Sequence, residues 1–294
     1  AKENLERKRN PIDFHFTNDV EIKPIRISKK EFTERSLMLH LSDIHVGACL
    51  ESGNLYDNNW NEEELERRLD AIVDFVSEFG TLDHIVINML GDYLDGMDNM
   101  TARRDHIMPQ NMDNREQFNV FIKNMLSFIG QLAYYTSKIT IYAVPEGNHD
   151  GISGYMVIKA LEYAVNAKFP EIEFNVFERF FGTYEFKGET YLIMHGKDAR
   201  FMKKPLPLNL NSDSNTLIRD WLDREGLHQS NIHIIKGDLH SNNLNACRKF
   251  DYRNVLSLFG DSDYSQYNYP SNGYGVSYDL FIGNNRTIGT FENF

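Results

Sequence analysis

The stretch His84-Ile-Val-Ile-Asn-Met-Leu-Gly-Asp92-Tyr-Leu-Asp95 decides the fold expected for this chain. From Ile85 to Leu90 it is almost continuously apolar and rich in β-branched residues, which is typical of a strand buried on both faces of a parallel sheet. The run stops at Gly91, where the backbone can turn sharply. Because ligands of open α/β sheets bind beyond the carboxyl ends of such strands, we expect Asp92 to bridge two cations, one on each oxygen.

The segments on either side of this strand repeat a pattern of strand followed by helix. Apolar residues at helical spacing alternate with short, β-branched runs. The predicted strands span 36–42, 83–90 and 138–144, and the predicted helices span 62–79, 115–135 and 154–167. Strand, helix and strand in this order predict βαβ units and a parallel sheet.

The second half of the chain favours a second, largely antiparallel sheet with one helix at 214–224. The predicted strands span 172–176, 179–186, 191–195, 232–235, 255–259, 276–282 and 286–291. Lys187-Gly188 is typical of a hairpin turn. We therefore expect an α/β domain over residues 35–294. A charged N-terminal arm at 1–34 precedes it, in which prolines interrupt any helix.

Composition places the chain among ordinary globular proteins, with 41% hydrophobic and 25% charged residues. Its apolar runs are shorter than the roughly 18 residues of a membrane helix, so no membrane association is expected. The net charge of −12 argues against a broad basic face for duplex nucleic acid. Cys49 and Cys247 are too few for a disulfide framework or a thiolate metal cage, which predicts a reducing, cytoplasmic setting.

Eight polar side chains follow the predicted strands directly. They are Asp43, His45, Asp92, Asn148, His149, His195, Asp238 and His240. Carboxylate, imidazole and amide groups suit Mn, Fe, Zn or Mg. A single Asp-x-His or Gly-Asp is more often a cap or a turn. Only the joint occurrence of these residues after successive strands indicates a metal site. The set is large enough for two metal sites that share one carboxylate, with a residue left for chemistry.

The order of five sequence blocks resembles the calcineurin-like metallophosphoesterase superfamily. The blocks are Asp43-x-His45, Gly91-Asp92-x-x-Asp95, Gly147-Asn148-His149-Asp150, His195-Gly196 and Gly237-x-x-His240. This match is specific for the superfamily and uninformative about the substrate. It implies a four-layer α/β sandwich of two mixed β-sheets flanked by helices. The sequence at 237–241 also resembles that of phage- and prophage-encoded members. Such a protein would be located in the host cytoplasm.

The resemblance further implies a role for each block. One divalent cation would be held by Asp43, His45, Asp92 and His240, and the other by Asp92, Asn148, His195 and Asp238. A hydroxide bridging the cations would attack phosphorus in line. His149, oriented or tuned by Asp150, would protonate the departing oxygen as the general acid. Asp95 would form a hydrogen bond to a ligand or to the backbone of a turn.

Position 238 departs from the family pattern, which usually has histidine there. A carboxylate favours Mn²⁺ or Mg²⁺ over Zn²⁺. The expected cofactor is therefore a pair of divalent ions, Mn²⁺ first, with Mg²⁺, Fe and Zn²⁺ as alternatives. We expect Asp238 to be a direct ligand. The alternative is that it faces a neighbouring group and leaves the second cation weakly held.

Basic and aromatic side chains near the blocks are candidates for binding the substrate. The basic ones are Arg103, Arg104, Arg200 and Lys203, which would bind phosphate or form an ordinary solvated face. The aromatic ones are Tyr264, Tyr267, Tyr269, Tyr274 and Tyr278, which would stack bases or pack on the domain edge.

The resemblance to phage-encoded members, together with the tyrosines that would stack bases, favours a phosphodiesterase or nuclease acting on single-stranded nucleic acid or nucleotides. One alternative is a phosphomonoesterase acting on a small molecule or a phosphoprotein. The other is a catalytically silent scaffold that binds a partner protein.

Overall fold

Two β-sheets face each other in a computed structural model that describes residues 33–50, 58–104, 106–197, 202, 204–228, 231–262, 273–292 and 294. Several predictions fall outside these residues and stay predictions. They concern nearly all of the N-terminal arm, Arg200, Lys203, Tyr264, Tyr267 and Tyr269.

The first sheet contains the buried strand that begins at His84. Its strands are β1 (Arg35–Leu41), β2 (His84–Met89), β3 (Ile139–Ala143), β4 (Glu173–Val176), β10 (Gly275–Ile282) and β11 (Asn285–Glu292). Their spatial order is β11-β10-β1-β2-β3-β4. Strands β1 to β4 are parallel, and β10 runs antiparallel to β1. The predicted βαβ units are therefore confirmed.

The second sheet is mixed. Its strands are β5 (Phe181–Phe186), β6 (Glu189–Met194), β7 (Ile232–Lys236), β8 (Asn243–Ala246) and β9 (Phe250–Asn254). Their spatial order is β5-β6-β7-β9-β8, in which β6, β7 and β9 are parallel.

Helices cover the outer faces of both sheets. They are α1 (Glu62–Glu78), α2 (Asn114–Leu132), α3 (Ile152–Lys168) and α4 (Ser212–Arg224). The alternation of side chains along β1 defines the layers. Leu37 and Leu39 pack in the cluster with α1, α2 and α3, whereas Met38 packs with Ile193 and Ile235 of the second sheet. The helix α4 packs on the other face of that sheet. The expected four-layer sandwich is confirmed.

Two predictions about the second half were wrong. The strands β4, β10 and β11 belong to the first sheet, so the second sheet is not the largely antiparallel one expected. The segment 255–259 is not a strand, because its N–H groups are used elsewhere: Leu258 and Phe259 donate to the carbonyls of Ser42 and Asp43. The strands β8 and β9 were missed because polar residues such as Asn243, Asn245 and Arg253 hide their pattern.

Candidate metal centre

The loops that follow β1, β2, β3, β6 and β7 meet at one edge of the two sheets. Within the first sheet, the N–H groups of Ile44 and His45 donate to the carbonyl of Asp92, at 2.9 and 3.0 Å. Across the sheets, the N–H of Asp238 donates to Asp43 Oδ2 at 3.1 Å. These bonds bring together side chains that are far apart in sequence.

Asp43, His45 and His240 form the first group of candidate ligands. His240 Nε2 lies 3.3 Å from Asp43 Oδ1, and His45 Nε2 lies 3.8 Å from the same oxygen. All three side chains are buried or nearly so.

Asp92, Asn148, His195 and Asp238 form the second group. His195 Nε2 lies 3.1 Å from Asp92 Oδ2 and 3.1 Å from Asn148 Oδ1. It also lies 3.8 Å from Asp238 Oδ1, so the carboxylate at position 238 faces the centre. The structure thus brings together all seven predicted ligands.

Asp92 lies between the two groups, but it does not offer one oxygen to each. Its Oδ2 faces both His195 Nε2, at 3.1 Å, and His45 Nε2, at 3.9 Å. Its Oδ1 accepts the N–H of His149 at 2.8 Å. This geometry differs from the expected arrangement of one oxygen for each cation, because Oδ2 faces the histidines of both groups.

The three buried histidines have the same orientation. Each holds its Nδ1 against an oxygen behind it, at 2.9 Å for His195 and the Leu90 carbonyl, and at 2.5 Å for His240 and the Gly260 carbonyl. For His45 the oxygen is Asp95 Oδ1, at 3.2 Å, a close polar contact without the geometry of a hydrogen bond. A ring that donates from Nδ1 has its lone pair on Nε2, which here faces the carboxylates. This is the arrangement that metal-binding histidines adopt.

Unpaired polar atoms and close packing indicate that the centre suits cations. Within the described part of the chain, the buried atoms Asp43 Oδ1, His45 Nε2 and Asp238 Oδ2 have no hydrogen-bond partner. Such atoms are costly unless a ligand satisfies them. A Cβ at Gly147 would lie 2.0 Å from Asp92 Oδ1, so only glycine allows this approach. The donor set and its burial fit divalent metal ions.

The pairing of histidines with aspartates determines the pKa values of the side chains in the centre. Burial disfavours a charged His195, but Asp92 outweighs it and raises the pKa of His195 to about 10. Burial likewise opposes ionisation of Asp43, yet His240 and His45 hold its pKa well below the usual value. The site is therefore organised to balance negative charge with positive charge in its interior.

His149 lies at the mouth of the centre, where 21% of its side chain is exposed. Its Nδ1 lies 3.5 Å from Asp95 Oδ1, and its ring lies 4.5 Å from that of His45. The prediction that Asp150 orients His149 does not match this geometry, and a tuning of His149 by Asp150 stays a prediction. The Asp150 oxygens instead accept the N–H groups of Gly147 and Tyr93, both at 2.8 Å, which ties the two loops together.

The remaining candidates lie around the centre. Arg103 donates to the carbonyl of Met202, and Arg104 is exposed. Tyr274 packs under the guanidinium of Arg68, 3.4 Å away, and the partly buried Tyr278 packs against the core beside Phe75. These two tyrosines thus pack on the domain edge, the second of the two roles that were expected for them.

Sequence reasoning missed one buried cation beside the centre. Lys236, at the end of β7, donates from Nζ to the Gly237 carbonyl at 3.0 Å and to Asn254 Oδ1 at 2.5 Å. Burial lowers its pKa to about 8. A lysine at the end of a mainly apolar strand is usually solvated. The sequence therefore did not indicate that Lys236 is buried.

Comparisons with known proteins agree with this arrangement. A family model described as calcineurin-like phosphoesterase matches residues 37–277. No curated protein sequence matches the chain. In the part of the chain that the structure describes, no helix has the length and apolar character needed to span a bilayer.

Two solved structures illustrate the similarity in fold. One is a novel archaeal phosphodiesterase, 10% identical over 87% of this chain and 99% of the other, with a TM-score of 0.42. The other is Vps29 from Entamoeba histolytica complexed with zinc, 9% identical over 87% and 98%, with a TM-score of 0.36. At these identities and TM-scores, the likenesses do not indicate the activity or substrate of this chain.

Proposed function

The chain belongs to the calcineurin-like phosphoesterase family and is a metal-dependent phosphoric ester hydrolase, and on that premise we propose that it hydrolyses phosphodiesters in nucleic acids or nucleotides. The observation that supports the proposal most is the common orientation of His45, His195 and His240. Each directs Nε2 towards the carboxylates around Asp92.

Two divalent cations would be held by the two groups of ligands, with Asp92 in common. The ligands would be Asp43, His45, Asp92 and His240 for one cation, and Asp92, Asn148, His195 and Asp238 for the other. Three carboxylates and an amide oxygen favour Mn²⁺ or Mg²⁺ over a softer ion. When bound, such cations polarise phosphoryl oxygens and lower the pKa of water.

His149 would act as the general acid. With Nδ1 facing Asp95, its Nε2 is the nitrogen that could hold a proton for the departing oxygen. The partial exposure of the ring would let a bulky leaving group reach it. The buried carboxylate of Asp95 would fix both His45 and His149, as it faces the Nδ1 of each.

Exposed apolar and basic side chains on the two segments beside His149 support a substrate that continues beyond the scissile phosphate, as a diester does. The insertion after β2 packs on the turn of His149 through a hydrogen bond from Ala102 N–H to the His149 carbonyl, 2.8 Å long. This insertion exposes Ile107, and α3 exposes Ile152 just beyond His149. An apolar surface would contact the nucleoside part of a substrate, and the exposed Arg104 would pair with a neighbouring phosphate.

The test compares hydrolysis of bis(p-nitrophenyl) phosphate and p-nitrophenyl phosphate with Mn²⁺ added. We expect the diester to be cleaved with the higher kcat/KM. A preference for the monoester would overturn the diesterase proposal in favour of a phosphomonoesterase. Hydrolysis of neither, together with the absence of Mn²⁺ binding, would instead favour the scaffold function.

A further inference from the structure

Arg68, a buried arginine on α1, takes no part in the chemistry described so far. Only 1% of this residue is exposed, and its neighbours on the buried face of the helix are Leu65, Leu69 and Ile72. A guanidinium in such surroundings is costly unless its N–H groups are paired. Its partners should therefore explain why it is there.

The side chain uses all five of its N–H groups. Nε donates to Glu64 Oε1 at 2.6 Å, Nη1 to the carbonyls of Leu258 and Phe259 at 2.8 and 2.9 Å, and Nη2 to Asn58 Oδ1 and the Asn59 carbonyl at 2.8 and 3.1 Å. Two of these bonds hold consecutive carbonyls of one turn. The guanidinium satisfies five acceptors at once, whereas the ammonium of lysine has only three N–H groups and would leave part of this set unpaired.

That turn also contacts the metal centre. The carbonyl of Gly260, the next residue after Phe259, accepts the Nδ1 hydrogen of His240 at 2.5 Å. The N–H of Phe259 donates to the carbonyl of Asp43 at 3.0 Å, and the ring of Phe259 lies 5.1 Å from that of His45. A displacement of the turn would therefore move the oxygen that orients His240.

We infer that Arg68 is a positioning residue for His240, acting through the turn formed by residues 258–260. It fixes the Leu258 and Phe259 carbonyls, the adjacent Gly260 carbonyl then holds Nδ1 of His240, and Nε2 is left facing Asp43. The inference rests on the proposed role of His240 as a ligand. It adds a residue on a helix, away from the loops that carry the ligands, to the determinants of cation affinity.

The test measures Mn²⁺ binding by calorimetry in Arg68→Lys, with Arg67→Lys as the matched control. Arg67 is the preceding residue of the same helix and contacts Glu64 and the Tyr274 hydroxyl instead of the turn. We expect Arg68→Lys to bind one of the two cations about 10–100-fold more weakly, the usual effect of losing support behind a ligand, and Arg67→Lys to bind both normally. Wild-type affinity for both cations in Arg68→Lys would overturn the inference.

A second measurement uses the metal-free protein and separates this inference from the proposed function. In a crystal structure of metal-free Arg68→Lys, we expect the Gly260 carbonyl to have moved and the ring of His240 to have left its position against Asp43. An unchanged His240 would overturn the inference, whatever the activity. A wild-type protein that binds no Mn²⁺ would instead contradict the proposed function, and the position of His240 in the metal-free variant would still decide the role of Arg68.

Discussion

Five non-glycine residues of the metal centre adopt the left-handed backbone conformation. They are Asp43, His45, Asp92, Asp238 and His240, with φ between 48° and 73°. This conformation is uncommon for residues with a Cβ and costs free energy at each position. The sequence blocks predicted which residues converge, because their order matches a family pattern. They did not predict that Asp95 rather than Asp150 faces His149, since both carboxylates belong to the blocks and Asp150 is the neighbour of His149 in sequence.

At the residue scale, His149→Ala should keep the cations but lose acid catalysis. We expect Mn²⁺ affinity close to that of the wild type and turnover reduced by about 10²–10⁴-fold for an alkyl leaving group. The loss should be smaller for p-nitrophenolate, which departs without a proton. Calorimetry and steady-state kinetics check both parts, with His228→Ala as a control because that ring is exposed. A normal rate with the alkyl ester would show that His149 is not the acid.

At the scale of elements, apolar periodicity was a good guide to the helices and to the parallel strands β1, β2 and β3. It failed for β8 and β9, because an edge strand and its neighbour carry polar residues that match no simple alternation. It also failed at 255–259, where apolar side chains fill the space between layers while the backbone bonds to loops. Such a segment satisfies its N–H groups without joining a sheet, which its sequence alone does not reveal.

The packing of α4 gives an element-scale prediction with a matched control. Leu222 is 3% exposed and packs against the second sheet, whereas Leu217 on the same helix is 66% exposed. We expect Leu222→Ala to lower the free energy of unfolding by about 2–5 kcal/mol because it leaves a cavity. Leu217→Ala should change it by less than about 0.5 kcal/mol. Equal effects in urea denaturation would contradict the placement of α4.

In the whole molecule, the buried carboxylate of Asp279 pairs with one arginine from each of the two sheets. Arg253 on β9 donates to Asp279 Oδ1 on β10 at 2.8 Å, and Arg286 on β11 donates to Asp279 Oδ2 at 2.7 Å. These contacts depend on β10 and β11 lying in the first sheet. The sequence did not predict that arrangement, because an antiparallel strand that returns after about 240 residues leaves no local trace of its partner.

His84 gives the molecule a predictable sensitivity to acid. The ring is half-buried between Thr140 and Phe186, and burial, with help from Lys138 and Lys187, lowers its pKa from 6.5 to about 4. The unfolded chain therefore takes up the proton at higher pH than the folded protein does. Stability present above about pH 6.5 is lost as the pH falls towards 4.

A comparison of His84→Gln with the wild type tests this sensitivity. Between about pH 7.5 and pH 5, we expect the wild type to lose about 1 kcal/mol more free energy of unfolding than the variant, after allowance for solvent at the exposed part of the ring. Urea denaturation at the two pH values measures the difference, and His228→Gln serves as the exposed control. The same pH dependence in all three proteins would exclude His84 as the cause.

Calorimetric titration of the metal-free protein with Mn²⁺ tests whether two cations share Asp92. We predict that the wild type and the control Asp98→Asn bind two cations per chain. We predict that Asp92→Asn loses both together, because one oxygen of Asp92 faces the histidines of both groups. Retention of either cation at wild-type affinity in Asp92→Asn would contradict the account.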